Sequence, residues 1–445
     1  MAQQPLKATP QSNPASDRRQ DGNESEDCLV LNVWSRGGND GGKRPVLFWI
    51  HGGGFSSLSG SSPAYDGTNL ALRGDVVVIT INHRLNILGF THFGDFGNDD
   101  FASSGTVGMQ DIVHALKWVR DNIENFGGDP NRVTIFGESG GGRKVGTLLA
   151  MPSAKGLFHR AIIESGATLK LPEREQAAEL AKSVLDELGI APDELHKLQE
   201  LPVDAIMSAY VKVGAGAIEV GGGAFAPTRD GNVIPYHPFW PEASPVNPDV
   251  PVIIGSNRTE LSYFDRAGFD IDEAGMRERF AGIVGAENVD RVVATYREAN
   301  PDASVAEIYF LVISDDAYVI PGITMAERRA ALGGAPVYLY YLTWEVRANG
   351  GRLMSPHTLD IPLVFDNSEI SPLTRGSADA AALAAKVSET VIAFARTGNP
   401  NAGTLPQWQP YEASERQTMV LNDVSELVAD PIESRRELMQ SLLDL

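Results

Sequence analysis

Apolar and polar positions along this chain follow two successive periods. Leu29 to Trp34, Val46 to Ile50 and Val76 to Ile81 are short aliphatic, β-branched or aromatic runs punctuated by glycine, a pattern that predicts buried strands. From Val107 the period lengthens. Ile112, Ala115, Leu116, Val119 and Ile123 recur at helical spacing, and the helix running to Phe126 stops at Gly127-Gly128-Asp129-Pro130, where glycine favours a left-handed cap and proline lacks an amide donor. A strand over Val133 to Phe136, a helix reaching Ala150 and a strand over Ala161 to Glu164 continue the alternation. Strand and helix in turn imply an α/β fold with a mainly parallel central sheet flanked by helices on both faces.

Beyond Gly166 the chain reads as helical and acidic to about Tyr210, then loosens from Gly214 to Gly223. Core strands return at Pro251 to Gly255 and Pro336 to Leu342, with helices expected over 273–284 and 304–332 between them. The helical stretches at about 170–225 and 265–335 read as cap insertions over the C-terminal edge of the sheet, where α/β proteins place their sites. Ala378 to Arg396 predicts a long Ala-rich helix closed by Gly398-Asn399-Pro400, and Ser434 to Leu443 a last short one. Residues 1–27 are rich in Gln, Asn, Ser, Asp and Pro. They carry too little apolar surface to offset the entropy of ordering, so they read as a disordered tail ahead of one α/β domain over 28–445.

Charge narrows the partners. With 37 Lys and Arg against 58 Asp and Glu the formal charge is −21, which argues against nucleic acid, anionic membranes and polyanionic substrates. No apolar run approaches the ~20 residues that span a bilayer. No signal leader is visible, which favours a cytoplasmic location unless a leader has been removed. Cys28 is the only cysteine, so no intrachain disulfide forms, and no two histidines have zinc-ligand spacing. Neither a metal nor a cofactor is expected.

Two glycine-rich turns carry the chemistry. Gly137-Glu138-Ser139-Gly140-Gly141 lies between an apolar strand and a helix, the setting in which G-x-S-x-G makes a strained turn that presents an activated serine. His51-Gly52-Gly53-Gly54-Phe55 ends a second strand and is suited to aiming backbone N–H groups at a developing oxyanion. Gly137 to Lys144 also has the look of a phosphate loop. It fails in detail, because Arg143 separates the glycines from Lys144 and Val145 stands where Ser or Thr would bind magnesium.

These motifs, with Ser25-Glu26-Asp27-Cys28-Leu29, Asn82-His83-Arg84-Leu85, Asn122-Ile123, Phe126 to Pro130, Gly156 to Ala161 and Ser355-Pro356-His357, resemble the type B carboxylesterase and cholinesterase family of α/β-hydrolases, of which the bacterial para-nitrobenzyl esterase-like enzymes are members. The resemblance implies hydrolysis of small-molecule carboxylic esters by a Ser, Glu, His triad without a cofactor. Ser139 would be the nucleophile. His357 would be the base, lying in a loop after the strand that ends at Leu342 and coming last in the order serine, acid, histidine. Glu260, just beyond the strand ending at Gly255, stands where the family has its triad acid, with Asp265 in reserve. Glu138 reads as a structural residue beneath the elbow.

Gly53, Gly54 and Gly140 are the expected oxyanion donors, and Phe55, Phe93, Phe225 and Phe264 the aromatic candidates for the substrate pocket. The other histidines considered have structural readings, with His159, His196 and His237 lacking useful neighbours. Several positions depart from the family pattern. Its N-terminal β region is expected to be largely absent, and Cys28 has no upstream partner. Gly140 replaces the usual Ala, and Arg143-Lys144 replace a small residue and Ser, which makes the start of the elbow helix polar and flexible. Leu261 and Thr358 stand where glycines often follow the acid and the histidine. A non-catalytic binding or adhesion module on the same fold, or an inactive fragment, is the alternative reading. Binding-only relatives commonly lose the nucleophile, whereas here Ser139, Glu260 and His357 are all present.

Overall fold

The computed structural model describes residues 25–97, 99–215, 224–443 and 445. The tail expected over 1–27 lies outside the described residues up to 24, as does the loosened segment from 216 to 223. The chain divides into two compact units.

Among described residues the first unit holds 25–159, 168–215 and 224–248, apart from 98. Its strands are β1 (Leu31–Trp34), β2 (Arg44–Ile50), β3 (Val77–Ile81) and β4 (Gly128–Glu138), in the order β1-β3-β2-β4. β2 runs parallel to both β3 and β4, with Phe48 opposite Ile79 and Ile135, while β1 is antiparallel to β3. Val46 to Ile50 are all fully buried, which explains their uninterrupted apolar run.

Leu29 and Val30, expected in the first strand, precede it and are exposed. Cys28 is a buried free thiol. The helices are α1 (Thr68–Gly74), α2 (Asn86–Phe90), α3 (Val107–Asn122), α4 (Gly140–Leu149), α5 (Arg174–Leu188) and α6 (Val203–Gly214). α3 ends four residues before the predicted stop and hands over to a 3-10 turn, Ile123–Phe126, capped by Gly127 at φ 74°. β4 begins earlier than its apolar core and takes in Asp129 and Pro130. The register between β2 and β4 shifts there, between Arg44 and Val46, so proline costs no regular ladder bond.

The second unit holds 160–167, 249–443 and 445 among described residues. Its strands β5 (Arg160–Glu164), β6 (Val252–Asn257), β7 (Val337–Leu342) and β8 (Gln417–Leu421) are parallel neighbours in that order, and β9 (Glu426–Ala429) closes the edge antiparallel to β8. Its helices are α7 (Glu273–Val284), α8 (Val289–Ala299), α9 (Val305–Ser314), α10 (Ile320–Ala331), α11 (Asp360–Val364), α12 (Ala378–Thr397) and α13 (Glu433–Leu442).

The single helix expected over 304–332 is broken into α9 and α10 by a π turn, Asp315–Val319. Contrary to the reading that no run approaches membrane-spanning length, Val305–Ala331 is long and apolar enough by composition. Its most apolar window is 83 % buried, the situation of a helix that forms a protein core.

Candidate active site

Ser139 joins β4 to α4 with φ 59° and ψ −125°. A non-glycine residue held there stores about 1–3 kcal/mol of strain, the conformation an elbow needs to lift a hydroxyl clear of the strand. Behind it the packing is close. A methyl group on Gly140 would come within 2.0 Å of the Gly54 carbonyl oxygen. Gly53 and Gly54 adopt φ of 79° and 61°, and the Gly53 carbonyl accepts from the Ser56 and Ser57 amides at 3.1 Å. The turn is thus folded back on itself with both glycines left-handed, a shape that side chains rarely allow.

Lys144 shares this region. It is fully buried, and its Nζ donates to the carbonyl oxygens of His51 at 3.1 Å and Gly54 at 2.8 Å. Burial pushes its ammonium down to about 7, and the Arg143 charge acts in the same direction. The His51 and His83 rings stack at 4.8 Å and 5°. Burial holds His83 well below the ordinary histidine range, helped by the Lys144 and His51 charges. The start of α4 is therefore polar, as expected, but fastened to the turn rather than flexible.

Glu260 follows β6 and opens a 3-10 turn, Glu260–Tyr263. Its Oε1 accepts from the Asn257 amide at 2.7 Å and its Oε2 lies 2.5 Å from His357 Nδ1. The carboxyl is 0 % exposed and the imidazole 1 %. Backbone bonds clip the two loops together: His357 N–H donates to the Glu260 carbonyl at 3.1 Å, Thr259 N–H to Ser355 O at 3.0 Å, and Ser355 N–H to Thr259 Oγ1 at 2.9 Å.

Burial pushes the Glu260 carboxyl up to about 8, opposed by the Ser165 hydroxyl and the Asn257 amide, which favour its anion. Asp360, next to it electrostatically, is raised to about 7 by burial and by the Glu260 charge; its Oδ2 accepts from Ser165 Oγ at 3.3 Å and from the Tyr340 hydroxyl at 3.0 Å. Asp265, the reserve acid, is committed elsewhere, accepting from the Tyr309 hydroxyl at 2.6 Å and the Gly268 amide at 3.1 Å.

Of the four phenylalanines, Phe264 packs against a triad candidate. Its ring lies 5.1 Å from that of His357 and the residue is 53 % exposed. Phe55, Phe93 and Phe225 are buried and pack on Phe90, Phe101 and Tyr210. Tyr318, which sequence reasoning missed, packs on His357 at 5.0 Å. It projects from the π turn, and nothing in the local apolar period marks such a position.

His237 has company after all. Its Nε2 is 2.9 Å from Glu173 Oε1 and its Nδ1 accepts from the Leu171 amide. The two departures from family glycine differ physically. Leu261 has ordinary turn backbone, whereas Thr358 is held at φ 73°, a costly conformation for a β-branched residue. Ser139, Gly53, Gly54 and Gly140 belong to the first unit, and Glu260, His357, Phe264 and Tyr318 to the second. Among the described residues no group of three His, Cys, Asp or Glu side chains is placed to hold a metal ion.

A serine on a left-handed strand-to-helix turn, with a buried glutamate–histidine pair after later parallel strands, is the architecture of an α/β-hydrolase. The chain belongs to the carboxylesterase family, whose model matches residues 1–437, a match that begins well before the Ser25 at which the recognisable motifs start. It is 33 % identical over 421 residues to the para-nitrobenzyl esterase of Bacillus subtilis (strain 168), covering 93 % of this chain and 83 % of that protein.

Among solved structures, the Geobacillus stearothermophilus carboxylesterase EST55 superposes with a TM-score of 0.81 at 36 % identity, covering 94 % of this chain and 86 % of that one. An esterase from anaerobic Clostridium hathewayi, described as able to hydrolyse aliphatic aromatic polyesters, gives 0.82 at 33 % identity, covering 98 % and 87 %. The protein is a serine carboxylesterase acting on small-molecule esters, and these relatives do not favour a binding or adhesion module.

Proposed function

We propose that Ser139, His357 and Glu260 form the triad, with the N–H groups of Gly53, Gly54 and Gly140 as the oxyanion hole, and that the substrates are small to medium neutral esters. The observation that carries this reading is the buried 2.5 Å contact between Glu260 and His357 Nδ1. A glutamate anion there keeps the proton on Nδ1 and leaves Nε2 as the acceptor a serine needs. The Ser139 hydroxyl attacks the ester carbonyl carbon while its proton passes to His357 Nε2. The carbonyl oxygen becomes an oxyanion facing the three N–H donors. Collapse breaks the bond to the alcohol, which leaves with that proton. A water molecule then repeats the sequence on the acyl-serine, releasing the acid and restoring Ser139.

The net charge of −21 disfavours anionic esters, nucleic acid and acidic membranes as partners. The half-exposed Phe264 ring beside His357 favours acyl or alcohol groups with an apolar face. The test is kcat/KM for p-nitrophenyl acetate, butyrate, octanoate and benzoate. Hydrolysis with a burst of p-nitrophenol equal to the enzyme concentration is expected for at least the short esters, and no turnover of any of the four would overturn the reading.

A further inference from the structure

Two residues of α4 converge on one atom outside it. Lys144 Nζ donates to the Gly54 carbonyl oxygen at 2.8 Å, and a side-chain carbon added at Gly140, one helical turn earlier, would lie 2.0 Å from that same oxygen. Lys144 also holds the His51 carbonyl at 3.1 Å. The buried ammonium therefore grips the stretch His51–Gly54 at both ends, and Gly53 and Gly54 lie between its anchors or at one of them. A lysine is seldom buried without purpose, since removing its charge from water is costly unless strong acceptors replace the solvent. Here two main-chain carbonyls do so.

We propose that Lys144 is a positioning residue for the oxyanion turn, drawing the Gly54 carbonyl down onto α4, and that Gly140 lacks a side chain because the turn so held occupies its space. The inference rests on the oxyanion assignment made above. It makes Gly140 and Lys144 one device. Loss of the ammonium frees the turn to drift, and the Gly53 and Gly54 N–H groups lose the aim that a developing oxyanion requires. Addition of a methyl group at 140 with Lys144 in place drives carbon into a carbonyl that cannot retreat. The same methyl group is accommodated once the ammonium is gone.

The test is a double-substitution cycle read with p-nitrophenyl butyrate. G140A is expected to lower kcat about 100-fold, the lower end of the range for loss of an oxyanion donor, and K144M, which misaims donors rather than removing one, about tenfold or more, with KM within about threefold of wild type. The double variant is expected to be no slower than G140A alone, a coupling of at least about tenfold between neighbouring sites. A boronic acid, which bonds to the serine oxygen and carries a tetrahedral anion, should lose affinity in step with kcat while KM stands.

Losses that simply multiply, a K144M kcat within twofold of wild type, or boronate affinity that holds while kcat falls would each overturn the proposal. If K144M lacks a cooperative thermal transition, K144L, which likewise has no donor, replaces it in the same cycle under the same criteria. Ser139→Ala, assayed alongside, separates the two readings. An active Ser139→Ala would remove the triad assignment, while an inactive one beside a multiplicative cycle would remove the Lys144 role alone.

Discussion

At the scale of single residues the site is governed by burial. Glu260 and His357 are shut away from water in direct contact with each other. The working form of the proposed triad needs a Glu260 anion and a neutral His357 imidazole as base, and protonation of the carboxylate at low pH removes the first. Because burial raises Glu260 to about 8 and lowers Lys144 to about 7, kcat/KM is expected to climb from pH 5 into the neutral range and to decline on the alkaline side as the Lys144 ammonium deprotonates. A pH-rate profile on p-nitrophenyl butyrate checks this, and one that is flat from pH 5 to 9 with chemistry rate-limiting would contradict it.

Ser139 and His357 stand out in the sequence because a five-residue motif and a fixed order of nucleophile, acid and base do not depend on knowing what packs nearby. Lys144 was legible only as a departure. Its carbonyl partners lie about 90 positions away in the chain, and no local pattern reports a contact that tertiary packing creates. Thr358 is similar: its strain at φ 73° is a property of the loop, invisible in the letter.

At the scale of elements the core strands could be read and the edges could not. β2, β3, β6 and β7 are built around buried apolar runs, whereas β9 is a four-residue edge strand with no fully buried position, so it has no pattern to show. α8 did carry a signal. Val289, Val292, Val293 and Tyr296 are its buried face at helical spacing, although β-branched residues weaken the helix reading.

The π turn between α9 and α10 was illegible for another reason. It presents Asp315, fully buried, to Arg435 of α13 through two bonds of 2.8 and 2.9 Å, and to the Tyr296 hydroxyl of α8 at 2.6 Å. Three helices meet at one carboxylate. Arg435→Met is expected to destabilise the protein by about 3–5 kcal/mol, because it strands a buried charge. Adding Asp315→Asn in the same chain should recover part of the loss. Urea unfolding midpoints measure both, and an Arg435→Met cost below about 1 kcal/mol would show that the pair does not join these elements.

At the scale of the whole molecule, the order of strand and helix gave an α/β fold, and the two glycine-rich motifs with the family resemblance gave a serine hydrolase. The helical span Val305–Ala331 is long and apolar enough by composition to cross a membrane, and burial of 83 % of its most apolar window marks it as core. The account's central claim is that one serine, carried by one elbow of this fold, performs the hydrolysis. The most direct measurement is the kcat of Ser139→Ala on p-nitrophenyl butyrate, with circular dichroism confirming the fold. A loss of at least about 10³-fold is expected, since the nucleophile and base act as a unit. Retention of a tenth of wild-type kcat by the folded variant would contradict the account.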